Sequence, residues 1–383
     1  MIRAAVFAAG LGLALGLLPR GGTAQADTAG SAQAAMEALR AAGASLEQAE
    51  GARNRVAALT ETVRAYEAGL AALRAGLRQA AIRERAIEEA FASESERLAR
   101  LLGVLQTIQA APATSLLLHP EGPVGTVRSG MILADVTPAL AREAADLRRQ
   151  LVEIATLRAL QEAALGRLED GLQGVQRART ELSKAVANRT DLPQRLVSDR
   201  QAMENLLNSA DTLETFAGGL LSTAVVDSSV AVDSADIASA QGRLDMPVLG
   251  RVIRRANEAD AAGVRRPGWV VATRPLTLVT TPWPATIRYL GPLLDYGEVA
   301  VLEPGEGFFL VLAGLGQVFG KIGEVLPKGA PVGLMGGAEV APDQAFLIST
   351  AEGGGAEATE TLYIELRRNG EPLDPDDWFV EAD

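Results

Sequence analysis

The fold of the last third of the chain is decided by residues 362–375, which read LYIELRRNGEPLDP. This stretch begins in one of several short runs that are rich in apolar or β-branched residues and bounded by Gly, Pro, Asn or Asp, the composition typical of strands. These runs are Val248–Ile253, Trp269–Thr273, Leu276–Thr280, Thr286–Leu290, Glu298–Leu302, Phe308–Leu312, Val332–Met335, Phe346–Ser349 and Thr361–Arg367. Many short strands at close spacing predict an antiparallel β sandwich or a single curled sheet.

Three motifs in this region resemble the LytM-type (lysostaphin-type) zinc metallopeptidase domain, which cuts peptidoglycan cross-links. The first is the stretch 362–375 itself. Residues 323–333, GEVLPKGAPVG, are similar to the Gly-x-x-Val-x-x-Gly-x-x-Ile-Gly hairpin of that family, and residues 372–378, PLDPDDW, are similar to its Asn/Asp-Pro-x-x-Trp ending. The motifs occur in the order of the family, over about 130 residues.

The residues that would hold zinc are absent from the corresponding positions. The family binds zinc through a His-x-x-x-Asp pair and the second His of a His-x-His, and two further histidines assist catalysis. The resemblance places Arg266, Val270, Gly314, Thr361 and Tyr363 on these positions, and no histidine occurs between residues 263 and 378. A catalytic zinc site needs three N, O or S donors from the protein, and arginine has no lone pair to donate. We therefore expect a degenerate domain that binds a partner, with no catalytic residue, metal or cofactor.

Composition limits the remaining possibilities. The chain has 383 residues and 48 acidic against 36 basic side chains, which gives a net charge of −12. It shows no basic run, so nucleic acid is not expected as a partner. Because it has no cysteine, disulfides and thiol chemistry are excluded. The lone histidine, His119, precedes the Pro/Gly-containing residues 120–123, and we expect it to be an exposed loop residue.

The N-terminus resembles a secretory signal peptide. Arg3 precedes an apolar run from Ala4 to Leu18, and Thr23–Ala26 supplies an Ala-x-Ala cleavage site. We predict cleavage after Ala26 and export to a bacterial periplasm. An uncleaved membrane anchor is the alternative.

Two long heptad patterns follow the signal peptide. Residues 31–110 contain no proline, and their apolar residues keep one a/d register, which predicts a single uninterrupted helix. The a/d positions are Val56, Leu59, Val63, Tyr66, Leu70, Leu73, Leu77, Ala80, Ile87, Phe91, Leu98, Leu101, Leu105 and Ile108. A second register covers residues 147–186, and residues 124–134 are expected to add a small helical cap at the turn. Polar residues interrupt the registers at Glu84, Glu94, Arg158, Gln161 and Arg179. The simplest structure is an antiparallel coiled-coil hairpin, with a homodimer of extended helices as the alternative.

A shorter amphipathic helix is predicted between the hairpin and the β domain. Its apolar positions include Leu206, Leu213 and Phe216, and a Ser/Ala/Asp/Val-rich linker follows it. This apolar face needs a partner, either the base of the hairpin or a groove on the C-terminal domain.

The whole organisation resembles the EnvC-type murein hydrolase activators. The predicted fold class is α+β: signal peptide 1–26, coiled-coil hairpin 27–193, regulatory helix 194–221, linker 222–241 and degenerate LytM-like domain 242–383. The resemblance implies a non-enzymatic periplasmic activator of N-acetylmuramoyl-L-alanine amidases during daughter-cell separation. It also implies that the hairpin docks on the periplasmic part of FtsX in an FtsEX-type complex, and that the helix can block the groove. Peptidoglycan is a further candidate ligand.

The predicted partner-binding groove lies where the zinc site would be. Arg266, Tyr363 and Arg367 replace or flank the former catalytic positions, and arginine and tyrosine are favoured interface anchors. Trp269 and Tyr289 are weaker candidates for its wall.

Two functions from other classes are alternatives. A working zinc endopeptidase would need ligands that the sequence does not supply. A periplasmic adaptor of a transport system also joins a helical hairpin to β domains, but it has strands on both sides of the hairpin, and no strand pattern precedes the first heptads.

Overall fold

The computed structural model of the chain describes most of the helices and of the β domain. The described residues are 21–51, 54–109, 122–190, 192–194, 205–206, 215–216, 219, 237–293, 296–305, 307–338 and 359–380. Residues 1–20 of the predicted signal peptide, His119, most of the predicted regulatory helix, the linker up to residue 236 and the predicted strand Phe346–Ser349 lie outside them.

Three helices form the N-terminal half: α1 (Gly21–Glu50), α2 (Arg55–Gln109) and α3 (Gly122–Ala187). Helices α2 and α3 form the expected antiparallel hairpin. In the described ranges, no helix is long and apolar enough to cross a membrane.

The prediction of one helix over residues 31–110 is wrong, because two separate helices, α1 and α2, occupy this range. Gly51 follows the end of α1, and the Asn54 side-chain oxygen accepts the backbone N–H of Ala57 at 3.1 Å, which caps the start of α2. Helix α1 then packs antiparallel on α2, with Leu39 against Gly69 and Ala32 against Gly76. The hairpin therefore carries a third helix at its base.

The predicted small cap at residues 124–134 is also wrong. These residues belong to α3, which continues through Pro138. Helix α2 ends at Gln109 and α3 begins at Gly122.

The polar residues that interrupt the heptads face one another across the hairpin. Glu84 accepts hydrogen bonds from Arg158 at 2.6 Å and from Gln161 at 2.8 Å. Nearer the base, Arg179 donates to Glu67 at 2.9 Å, and both side chains are buried. Each of these interruptions of the apolar seam is thus compensated by the opposite helix.

The C-terminal half is a β domain built around one ten-stranded sheet. Its strands are β1 (Leu244–Asp245), β2 (Gly250–Arg254), β3 (Trp269–Thr273), β4 (Leu278–Thr280), β5 (Ala285–Pro292), β6 (Glu298–Gly305), β7 (Phe308–Val318), β8 (Val325–Leu326), β9 (Pro331–Met335), β10 (Glu360–Arg368), β11 (Glu371–Leu373) and β12 (Phe379–Val380). The main path through the sheet is β2-β3-β10-β7-β6-β5-β8, and all its pairings are antiparallel; β1 and β12 form a separate parallel pair. Every predicted strand in the described ranges falls on one of these strands, and the fold class is α+β as predicted.

Side chains alternate between the two faces of the sheet along each strand, and buried apolar clusters lie on both faces. On β10, Leu362, Ile364 and Leu366 pack into the main core, together with Trp269. Tyr363 lies on the opposite face, which we call the groove face.

The helices and the β domain share a core. Leu278, Phe319 and Leu334 of the β domain pack among the apolar residues of the helices. Where α3 ends, Arg189 forms a largely buried ion pair with Glu324 at 3.3 Å, and the Pro193 carbonyl accepts the N–H of Val325. The exit of the hairpin is therefore fixed to β8.

Candidate functional site

The positions of the first and last zinc motifs lie side by side on the groove face. Val270 of β3 is directly opposite Tyr363 of β10, and Ala313 of β7 flanks Tyr363 on its other side. Gly268 donates its N–H to the Tyr363 hydroxyl at 3.1 Å. Arg266 is half-buried nearby, with its guanidinium 5.8 Å from the centre of the Tyr296 ring.

Tyr363 is buried and fully hydrogen-bonded. Besides accepting from Gly268, its hydroxyl donates to Glu365 at 2.6 Å. Burial, and then the negative charge of Glu365, raises the pKa of the Tyr363 hydroxyl far above its usual range. The phenol therefore stays protonated and holds the loop before β3 against β10.

Arg367 lies further along the same face, and its guanidinium is committed to internal contacts. It donates to the carboxylate of Glu365, and its Nε and Nη2 donate to the Gly370 carbonyl at 3.1 and 2.5 Å. Glu365 and Arg367 are 1% and 3% exposed. Pairing offsets the cost of burying these charges. In this conformation Arg367 supports the groove and is not accessible to a partner.

An aromatic residue from the predicted regulatory helix fills the groove face. Phe216 is fully buried, and its ring meets that of Tyr289 edge-on, with centroids 4.8 Å apart. We call the buried residues around it the Phe216 cluster: Phe216, Tyr289, Leu293, Val299, Val301, Phe309, Val311, Ala313 and Tyr363. Of the two surfaces that could receive this helix, Phe216 contacts the C-terminal groove.

Tyr289 contributes to the wall of this groove. Its ring packs against Phe216, while its hydroxyl donates to the Pro292 carbonyl at 2.7 Å. Burial raises the pKa of the Tyr289 hydroxyl, and the nearby charge of Glu298 adds to this.

Trp269 does not line the groove. It packs in the main core on the opposite face, where its indole N–H donates to Asp376 at 2.5 Å and its ring lies 5.7 Å from that of Phe379. The structure thus brings Arg266, Tyr289 and Tyr363 together and leaves Trp269 apart.

The remaining two motif positions, Gly314 and Thr361, meet at one end of the groove. Gly314 sits in a β-bulge between the pairs Val299–Ala313 and Glu298–Leu315, and has φ = +98°. A Cβ at this position would collide with the Thr361 carbonyl oxygen. Only glycine suits this backbone.

Among the described residues, those matched to the zinc motifs offer no donor set for zinc. Arg266 and Val270 provide no lone pair, and Tyr363 is a protonated, hydrogen-bonded phenol. Across the part of the chain that the structure describes, no three His, Cys, Asp or Glu residues are grouped so that they could hold a metal ion.

Sequence reasoning missed Glu365 as a site residue and did not single out Phe216. A signal for Glu365 was available, because residues 363, 365 and 367 must share one face of a strand. The position of Phe216 depends on tertiary packing that no local pattern records.

Comparison with known proteins gives partial similarity. No family model matches the chain. An uncharacterised protein of Neisseria meningitidis serogroup B, NMB1333, is 28% identical over 139 residues, which are 36% of this chain and 20% of that protein. The match therefore spans about one fifth of the length of the curated relative.

Several solved structures are similar to about a third of this chain, and two of them serve as examples. Helicobacter pylori Csd3 is 20% identical, over 36% of this chain and 35% of that one, with a TM-score of 0.28. The catalytic domain of the prophage-encoded M23 protein EnpA from Enterococcus faecalis is 17% identical, over 34% of this chain and 90% of that one, with a TM-score of 0.26.

Proposed function

We propose that this protein is a non-catalytic periplasmic activator of N-acetylmuramoyl-L-alanine amidases, acting when daughter cells separate. The groove face binds the amidase, and the segment that carries Phe216 keeps the groove closed at rest. The hairpin docks on the periplasmic part of FtsX in an FtsEX-type complex. Peptidoglycan is a secondary candidate for the same groove.

One observation carries the proposal: Phe216 occupies the face on which the former zinc-motif positions meet. The ring of Phe216 belongs to the same buried cluster as Tyr363, which stands opposite Val270. A groove face whose described residues offer no ligand set for zinc, and against which the chain's own aromatic side chain packs, is suited to regulated protein binding. An amidase helix would compete with the internal segment for this surface.

The exit of the hairpin is held on the β domain. Arg189 and Pro193, just after α3, contact Glu324 and Val325 of the β domain, and Phe216 follows them in the sequence. A force on the hairpin would act at this junction. Displacement of the junction would lower the stability of the closed state and expose the groove.

The test measures dye release from labelled peptidoglycan by a periplasmic amidase of the same organism. The full-length protein is compared with its Phe216→Ala and Phe216→Asp variants. Both variants should activate the amidase without any transporter complex, because the covering segment loses its buried anchor. The matched control is Ile82→Ala, since Ile82 is an exposed apolar residue of α2 and its loss should change nothing.

Three outcomes would contradict the proposal. If the Phe216 variants, shown to be folded, activate no more than the unaltered protein, Phe216 does not close the groove. If neither form stimulates the amidase, the transport-adaptor function becomes the better hypothesis. If the protein releases dye without amidase, it is a peptidoglycan hydrolase.

The structure gives one argument against the transport-adaptor function. Among the described residues, no strand element precedes α3, whereas an adaptor needs strands on both sides of its hairpin.

A further inference from the structure

A second concave surface shares none of its lining residues with the Phe216 cluster. It is a cleft of about 380 Å³ between α2 and the chain that leads into β2. Its lining is mainly apolar and includes Met246, Val248, Leu249, Leu278 and Val380. Clefts of roughly 300–1,000 Å³ with apolar walls and a few polar groups are typical binding sites.

Among the described residues, the charges around this cleft leave one cation without a partner. Glu67 is committed to Arg179 and to the Leu278 N–H, and Asp245 forms an ion pair with Lys328 at 2.8 Å. The side chain of Arg64 has neither a hydrogen bond nor an ion pair with any residue that the structure describes. The cleft therefore favours a ligand that combines apolar groups with negative charge.

The cleft continues directly into an edge strand. Leu249 lines the cleft and precedes β2, which ends the order of strands in the sheet and pairs only with β3 in the described ranges. By alternation, Leu249 and Arg251 project to the same side, and the bulge between Val252 and Arg254 interrupts the alternation at Ile253. Leu249 and Ile253 are 43% and 46% exposed. Arg251 is exposed and, like Arg64, has no side-chain partner among the described residues.

We infer that the cleft and the outer edge of β2 together dock an extended acidic segment of a partner protein. The backbone of that segment adds a strand to β2, which is a recurrent mode of peptide recognition. An apolar side chain of the segment enters the cleft beside Leu249 and Leu278. Carboxylates on the segment pair with Arg251 across the strands and with Arg64 of α2.

The exposed apolar side chains argue against an edge that is merely protected from aggregation. Sheet edges are often guarded by charges and bulges, and β2 has both, with a bulge between Val252 and Arg254. A guarded edge has no need of Leu249 and Ile253 at its surface, nor of an adjoining apolar cleft. Together these features match a segment in which acidic and apolar residues alternate.

The experiment measures fluorescence anisotropy of a labelled peptide, Glu-Val-Glu-Leu-Glu-Val-Glu, titrated with the full-length protein. A peptide with lysine in place of each glutamate serves as the charge control. The acidic peptide should bind, with an affinity that falls as salt rises, and the lysine peptide should not. The double variant Arg64→Glu/Arg251→Glu should bind the acidic peptide at least about tenfold more weakly.

Two control variants and one measurement locate the binding on this surface. Arg148→Glu reverses an exposed arginine of α3 and should leave binding unchanged. Phe216→Ala should also leave it unchanged, so the result is independent of the proposed amidase groove. Hydrogen exchange of residues 249–254 should slow when the acidic peptide is bound.

The inference is overturned if the acidic peptide does not bind, or if it binds equally to the double variant. It also fails if the lysine peptide binds as tightly, because recognition would then not depend on charge. Binding without added protection of residues 249–254 would place the peptide elsewhere on the molecule.

Discussion

The carboxylate of Glu67, on α2, accepts a hydrogen bond of 2.9 Å from the backbone N–H of Leu278, the first residue of β4. The same oxygen accepts from Arg179 of α3. One buried side chain thus ties both helices of the hairpin to the β domain. The two halves of the protein are therefore held together by a specific contact as well as by a shared apolar core.

Replacing Glu67 by alanine should destabilise the protein strongly. The change leaves the buried guanidinium of Arg179 and the Leu278 N–H without this acceptor, and breaking a buried pair typically costs about 3–5 kcal/mol. Urea unfolding followed by circular dichroism measures the loss. Glu61→Ala, at an exposed residue of the same helix, should shift stability by less than about 0.5 kcal/mol. Equal effects of the two changes would mean that the contacts of Glu67 with Arg179 and Leu278 do not stabilise the protein.

Two glycines of α3 should respond oppositely to alanine. A Cβ on Gly174 would lie 2.5 Å from the Tyr66 ring, whereas a Cβ on Gly166 would meet nothing within 4 Å. Gly174→Ala should destabilise by about 1–3 kcal/mol through overpacking. Gly166→Ala should stabilise by about 0.5–1 kcal/mol, because alanine loses less entropy in a helix. Thermal unfolding of the two variants checks this, and a stabilised Gly174→Ala would show that Tyr66 does not pack there.

Tyr363 should make stability depend on pH in the alkaline range. The pKa of its hydroxyl is raised in the folded protein, whereas a tyrosine in the unfolded chain ionises near pH 10. The contribution of Tyr363 to the free energy of unfolding is therefore complete below about pH 10. It falls as the pH rises further, because only the unfolded chain then loses the proton. Tyr363→Phe should show a smaller fall in the free energy of unfolding between about pH 9 and about pH 11. An unchanged slope would contradict the assignment.

Arg367 and Arg368 are neighbours that should tolerate charge reversal very differently. Arg367→Glu would set a second carboxylate beside buried Glu365 and remove both hydrogen bonds to Gly370, so we expect a loss of several kcal/mol. Arg368 is exposed, with its guanidinium 5.1 Å from the centre of the Phe308 ring, so Arg368→Glu should cost at most about 1 kcal/mol. Urea midpoints of the two variants give the comparison. If both are mild, the Glu365–Arg367 pair does not stabilise the groove.

The hairpin is largely predictable because its apolar repeat survives several polar interruptions. Glu84, Arg158 and Gln161 stand out as interruptions, but their pairing requires the register between two helices, which one helix alone does not contain. The break after α1 has local signals in Gly51 and Asn54, a terminating glycine and a capping residue. The heptad register continues after these two residues, so the sequence pattern predicts one continuous helix in spite of them.

The strands are also predictable, and the groove less so. Turn residues and apolar runs locate each strand, whereas the environment of a polar side chain depends on the strands beside it. From the sequence alone, Arg367 is predicted to be an exposed interface residue. In the structure it is buried, and its guanidinium donates to Glu365 on the same face and to the Gly370 carbonyl oxygen. Trp269 is on the core face by the alternation of β3.

The bulge at Gly314 limits which side chains the end of the groove face can carry. Any side chain at residue 314 would collide with the Thr361 carbonyl oxygen, on a backbone that only glycine adopts comfortably. Placing a histidine there would first require the bulge between β6 and β7 to be remodelled. A single substitution at residue 314 therefore cannot add a functional group to the groove face; the change would need a compensating change in the backbone of β6 or β7.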